Sequence, residues 1–168
     1  RHIAWGMNRG AYFIGMGDFV DVASPSGRAK LADAHLYDSV NNALKEQAER
    51  HLEVVMSALR GTEGRWLGLH EGHHLFEFGD GTTTDTELAK FLDAPFLGTS
   101  AVTRLTFKDI TVATVSCLTW SHHGEGSGAS DPVARLKRVA PGFPQVDIFV
   151  QGHNTKLGSE VMNNIWFY

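Results

Sequence analysis

The sequence predicts an α/β fold, a mixed β-sheet sandwich flanked by helices, and three observations predict it. Short apolar runs that end in Gly or Asp alternate with stretches of helical spacing. Residues 28–59 contain neither Pro nor Gly, which suits a long helix. Two β-rich runs, 101–107 and 110–120, follow one another closely and read as an antiparallel hairpin inside a sheet otherwise built from βα units.

Taken in order, Tyr12-Phe13-Ile14-Gly15-Met16-Gly17-Asp18 is a buried strand delivering a carboxylate at its C-terminal end. Ser24-Pro25-Ser26-Gly27 is turn material. Leu31, Ala34, Ala43, Leu44, Ala48, Leu52, Val55 and Leu59 keep mostly helical spacing, as one long helix or two abutting ones, until Gly61 and Gly64 stop the pattern. Arg65–His70 reads as a second strand running into Glu71-Gly72-His73-His74. Thr84 is the expected N-cap of a helix over Asp85–Leu92, with Glu87 as its capping-box partner. Lys108-Asp109 is the expected tight turn of the hairpin. Beyond it come Ser121-His122-His123-Gly124 and a Gly/Ser-rich loop. A short helix near Pro132–Val139 follows, then a last strand, Val146–Val150, which meets Gln151-Gly152-His153-Asn154-Thr155.

The 168 residues suit one domain, residues 1–168, with enough chain to bury a core without disulfides. No apolar run approaches the roughly 18 residues a membrane-spanning helix needs. Fifteen basic residues against nineteen acidic leave a net charge of −4 without a Lys/Arg block, which excludes a histone-like or arm-like nucleic-acid binder. The single cysteine, Cys117, lies in an apolar stretch and reads as a buried reduced thiol, pointing to a reducing compartment and a cytoplasmic location. The chain opens on Arg1 and stops on an apolar run, the expected look of a fragment.

Six of the nine histidines fall in three short segments: His70, His73 and His74; His122 and His123; and His153. Each segment follows an apolar strand, and in open α/β sheets the loops beyond the carboxyl ends of neighbouring strands converge on one crevice. With Asp18 added, four loops aim a carboxylate and several imidazoles at a common point. Imidazole and carboxylate suit Zn, Fe, Ni or Mn, and a donor set without thiolate reads as catalytic rather than structural. No C-x-x-C pair and no H-E-x-x-H helix is present, since His70-Glu71-Gly72-His73-His74 reads as a strand running into a loop, and this excludes zinc-finger and zincin readings.

The ordered set Gly17-Asp18-Phe19-Val20-Asp21, Gly72-His73-His74, His123-Gly124 and Gly152-His153-Asn154-Thr155 resembles the calcineurin-like metallophosphoesterases, whose signature runs D-x-H, G-D-x-x-D, G-N-H-[D/E], a lone His and G-H-x-H. The resemblance spans about residues 12 to 157 and is nearest in wording to members encoded by bacteriophages. It implies an incomplete metallophosphoesterase-like fold and a metal-dependent phosphoester hydrolase: a phosphodiesterase, phosphatase or nuclease with two divalent ions. It implies Asp18 as the bridging carboxylate, His73 at the usual Asn position, and His123 and His153 as further ligands. His74 stands at the position of the catalytic His that serves the leaving group, and a hydroxide made at the ions would attack phosphorus in line. The implied partner is a phosphoester substrate, with nucleic acid or a nucleotide included.

Three departures stand beside the match. No D-x-H precedes Gly17-Asp18, which a missing N-terminal segment would explain; Asp33-Ala34-His35 has the letters but reads as solvated helix surface. His73 replaces Asn, and Thr155 replaces the final His, so one metal is expected to be held more tightly than the other. These losses leave a second reading, a non-catalytic binding or assembly module of the same fold, and a third, a mononuclear hydrolase of another ester. His70, Glu71, Asn154 and Thr155 are candidate supporting residues around the ligands, with a plain core role equally open for His70. Asp21 reads as loop-stabilising, His122 as facing away from His123, and His2 and His51 as surface. Trp5, Trp66, Trp120 and Trp166 read as packing residues more readily than as a base-stacking platform. Gly124, Gly126 and Gly128 read as a connector, and Arg135, Lys137 and Arg138 as cations at a helix C-terminus.

Overall fold

The computed structural model describes residues 2–22, 24, 27, 30–31, 37–108, 114–124, 133–153 and 158–168. The chain forms two compact units, Arg1–Gly98 and Thr99–Tyr168, each mixed α/β with its own sheet. No helix among the described residues is long and apolar enough to cross a membrane.

In the first unit, helix α1 (His2–Met7) precedes strand β1 (Phe13–Gly15). Helix α2 (Asp38–Leu59) covers the C-terminal part of the expected long helix; residues 32–36 of that stretch, including Asp33-Ala34-His35, lie outside the described residues. Its buried positions Ala48, Leu52 and Leu59 share one face, and exposed i,i+4 pairs, Lys45 with Glu49 and Arg50 with Glu46, decorate the other. Strand β2 (Trp66–His70) lies parallel to β1 and to β3 (Phe96–Gly98), in the order β1-β2-β3, with Gly15 opposite Leu69 and His70 opposite Gly98. Helix α3 (Thr84–Phe91) packs on α2, β2 and β3. The core gathers Val20, Leu52, Leu59, Trp66, Leu69, Leu88, Ala89 and Leu92.

Two details differ from expectation. The N-cap of α3 is Thr83, not Thr84, and the capping-box partner is Thr86, not Glu87: Thr83 Oγ1 accepts from the Thr86 N–H at 3.1 Å and Thr86 Oγ1 from the Thr83 N–H at 2.8 Å. Thr84 is already committed, since its N–H and Oγ1 bond the carbonyl and N–H of Phe76 at 3.0 and 3.2 Å. Strand β3 is an addition. Three residues after Pro95 are too few to show a period.

The second unit pairs β4 (Ser100–Phe107) with β5 (Val115–His122) as the expected antiparallel hairpin. The tight turn at Lys108-Asp109 is not what joins them. Phe107 pairs with Val115, so the connection runs over residues 108–114, of which 109–113 lie outside the described residues. The register is set at the other end of the pair, where Thr119, Trp120 and Ser121 are buried. Helix α4 (Ala134–Val139) and a 3-10 turn (Ala140–Gly142) lead to β6 (Ile148–Gln151), parallel to β5. A closing hairpin of β7 (Glu160–Met162) and β8 (Ile165–Phe167) completes the order β4-β5-β6-β8-β7. Its two-residue loop, Asn163-Asn164, takes positive φ at both residues, 52° and 65°, as a primed hairpin turn requires. Trp120, Val133, Leu136, Ala140, Val146, Phe149 and Phe167 form the core.

Of the tryptophans, Trp66 and Trp120 are buried while Trp5 and Trp166 are exposed, Trp166 stacking its ring on Tyr168. Cys117 is a free thiol and half-buried on β5 rather than fully enclosed.

Candidate functional site

In the first unit two loops close on each other beyond the carboxyl ends of β1 and β2. Asp18, three residues past β1, adopts φ +53°, a left-handed conformation that Asp takes more readily than most side chains. Its carboxylate ties the two loops together. Its Oδ1 accepts the backbone N–H groups of His73 at 2.6 Å and His74 at 3.0 Å. The approach needs glycine between the strands' exits, because a Cβ on Gly72 would collide with the backbone nitrogen and Oδ1 of Asp18. Gly72 in turn donates its N–H to Oδ2 of Asp85, a fully buried carboxylate in the first turn of α3, at 2.7 Å.

His74 is fixed from its other side. Its Nδ1 lies 2.8 Å from Oδ1 of Asp21, and because a carboxylate only accepts, Nδ1 carries a proton. Its carbonyl accepts the Val22 N–H at 3.1 Å, tying the Asp18–Val22 loop to the histidine loop a second time. His73 is half-buried. His70 is completely buried and donates Nδ1–H to the carbonyl of Gly98 at 2.9 Å, the same oxygen that takes the Glu71 N–H at 3.0 Å, so both brace the β2–β3 exit.

In the second unit, β5 and β6 run parallel and bring two more histidines to their carboxyl ends. The rings of His123 and His153 have centroids 4.8 Å apart and planes 54° apart, His123 being buried. His153 takes φ +54° and Gly124 φ +106°, and a Cβ on Gly124 would sit 2.6 Å from the carbonyl oxygen of Gly152. Only glycine lets the two loops approach this closely. His122 belongs to another surface: it stacks on Trp120, with ring centroids 5.5 Å apart, and its Nδ1 accepts the Gly124 N–H at 2.7 Å. Asn154 and Thr155, like Gly126 and Gly128, lie outside the described residues.

The donor chemistry fits a divalent ion. Two imidazoles this close can each turn one ring nitrogen to a shared ion about 2.0–2.1 Å away, and such nitrogens suit Zn, Ni, Fe and Mn. Two residues of the site are not singled out as functional by the sequence. Asp21 had its signal in the second Asp of Gly17-Asp18-Phe19-Val20-Asp21. Asp85 carried none, since an acid in the first turn of a helix is ordinarily there for the helix dipole. Comparison of the chain with protein-family models, with curated proteins and with solved structures gives no match.

Proposed function

We propose that the chain is a metal-dependent phosphoester hydrolase with a metallophosphoesterase-like site, working in the cytoplasm. The observation that carries the reading is the Asp18 carboxylate, held in a left-handed turn by the amides of His73 and His74 while Asp21 fixes the His74 ring. A carboxylate and an oriented imidazole so placed are the parts that hydrolysis of a phosphoester needs. His123 and His153, one ring nitrogen from each, are the ligands proposed for an ion in the second unit, and Asp18 and His73 are the donors proposed in the first.

When bound, the metal supplies Lewis acidity that polarises phosphoryl oxygens and acidifies water. The chain's own residues do the rest. Asp18 sets the position of the loop that carries both His73 and His74. In its doubly protonated form His74 would present Nε2–H to the leaving oxygen and hand it that proton, becoming the neutral Nδ1–H ring, a contribution on the order of 10²–10⁴ in rate. Asp21 holds the ring's angle through Nδ1–H and favours its positive charge before the transfer.

Purified protein loaded with Mn, Zn, Fe or Ni and measured by elemental analysis should retain metal, and it should hydrolyse bis-p-nitrophenyl phosphate in a chelator-sensitive way. Protein that retains no metal after loading, or turnover indifferent to chelator, refutes the reading.

A further inference from the structure

The end of the first unit opposite to the Asp18 and His74 loops carries an arrangement that hydrolysis alone does not use. Trp5 on α1 and Tyr12 just before β1 are exposed, at 60% and 58% of their surfaces, in a unit that buries its other tryptophan, Trp66. Each exposed ring is paired with an arginine. The guanidinium carbon of Arg9 lies 4.2 Å from the Trp5 ring centroid, and that of Arg65 lies 5.3 Å from the Tyr12 ring centroid.

The backbone brings the two pairs to the same end of the unit. The turn that ends α1 bonds the Ala11 N–H to the Gly6 carbonyl, which seats Trp5 and Arg9 beside the chain entering β1. The Phe13 N–H donates to the Arg65 carbonyl at 2.9 Å, which brings Tyr12 and Arg65 side by side at the N-terminal ends of β1 and β2. Charge sorts the same way. No acidic residue occurs from residue 2 to residue 17, although the whole chain is net −4. Glu63, the acid nearest to Arg65 in sequence, has its Oε2 engaged by the Gly61 N–H at 2.7 Å.

We propose that Trp5, Arg9, Tyr12 and Arg65 form a binding surface for single-stranded nucleic acid; that the bound strand is also the substrate rests on the hydrolase reading above. Aromatic rings offer faces on which successive bases stack without regard to sequence, and each arginine lying over its ring has N–H donors for a phosphate, Arg9 lending one, Nη1, to the Trp5 carbonyl at 3.4 Å. A double helix offers no unstacked base to such rings. Two cationic groups without a wider basic field give a binder whose affinity comes from stacking and whose salt dependence is shallow, in keeping with the acidic chain.

The test is fluorescence anisotropy of a labelled oligothymidylate of about 16 nucleotides with the full chain in chelator, so that binding is read without turnover. Binding is expected at about 50 mM salt and should weaken toward about 200 mM. Trp5→Ala with Tyr12→Ala should lower affinity about tenfold or more. Arg9→Gln with Arg65→Gln should flatten the salt slope by about 1.4, the value for two phosphates on a single strand. All four side chains lie outside the Asp18 and histidine loops, so neither double variant should change turnover of bis-p-nitrophenyl phosphate, and circular dichroism checks that both fold. The proposal is overturned by an oligonucleotide that does not bind at low salt, by variants that bind as tightly as the parent, or by sedimentation showing that the aromatic variant loses self-association instead. Loss of metal-dependent turnover on the small ester, with oligonucleotide binding behaving as described, removes the hydrolase reading and leaves this surface standing.

Discussion

His74 and Asp21 stand 53 positions apart in the chain, and Nδ1 of the one lies 2.8 Å from Oδ1 of the other. Half-exposed ion pairs contribute little to stability, so this one is argued from orientation. Asp21→Asn keeps size and removes the charge that favours the protonated ring and fixes its Nδ1–H. Turnover should fall about 10–100-fold with bound metal unchanged. The loss should be steeper for a phenyl than for a nitrophenyl ester, because nitrophenolate leaves without a proton. Equal losses on the two esters would show that His74 is not the acid.

Asp18 and His74 separate metal holding from proton transfer. Asp18→Asn removes the charge from the carboxylate proposed to face the ions, and metal content and turnover should vanish together. His74→Ala should abolish turnover at full metal content. Elemental analysis beside the ester assay distinguishes the two, and metal loss in both variants would contradict separate roles.

Gly72→Ala asks whether the two loops must touch. The new methyl collides with the backbone nitrogen of Asp18, not with a flexible side-chain end, so relief requires the loop itself to move. Overpacking of this kind costs about 1–3 kcal/mol. A melting temperature lowered by several degrees, with reduced metal retention, is the expected outcome of a thermal scan; an unchanged one would mean that the loops are not in contact in solution.

Much of this architecture is legible in the sequence, for reasons that differ from element to element. Strand β2 and the pairing of β4 with β5 announce themselves because their residues have the period or the β-branched content of a sheet. Asp18 and the three histidine segments are found because they follow apolar runs, and carboxyl ends of parallel strands are where loops gather. What escapes is set by partners distant in the chain. Nothing local to Thr84 says that Phe76 has already taken its hydrogen bonds, so the cap shifts to Thr83. Nothing near Lys108 says that burial at Trp120 fixes the register of the hairpin. Asp85 is hidden in the same way, its partner Gly72 being 13 residues back.

Asp80 supplies a pH test in the first unit. The Thr82 N–H, at 3.0 Å, and then the Thr82 hydroxyl, at 2.8 Å, bond its carboxylate and hold its pKa below the ordinary 3.8. A lowered folded-state pKa means that the unfolded chain binds more protons at low pH. The stabilisation is therefore fully present above 3.8 and disappears as pH falls through the lower folded value. Asp80→Asn should accordingly be less stable than the parent near neutrality and converge with it in acid below 3.8, read by urea unfolding at several pH values. A difference that stays constant across that range would assign the loss to packing and not to ionisation.

Asp85 is the anchor behind the histidine loop, and its two simplest replacements separate hydrogen bonding from charge. Asp85→Ala leaves the Gly72 N–H without this acceptor in a buried place, a cost of about 1–3 kcal/mol. It also frees the stretch whose next two amides hold Asp18, so metal retention should fall along with melting temperature. Asp85→Asn keeps a carbonyl oxygen of the same reach, and it should recover most of the metal binding while remaining somewhat less stable. If the alanine variant lost stability but held metal as tightly as the parent, Asp85 would be serving α3 alone, and the position of Asp18 would have to be set by the His73 and His74 amides without it.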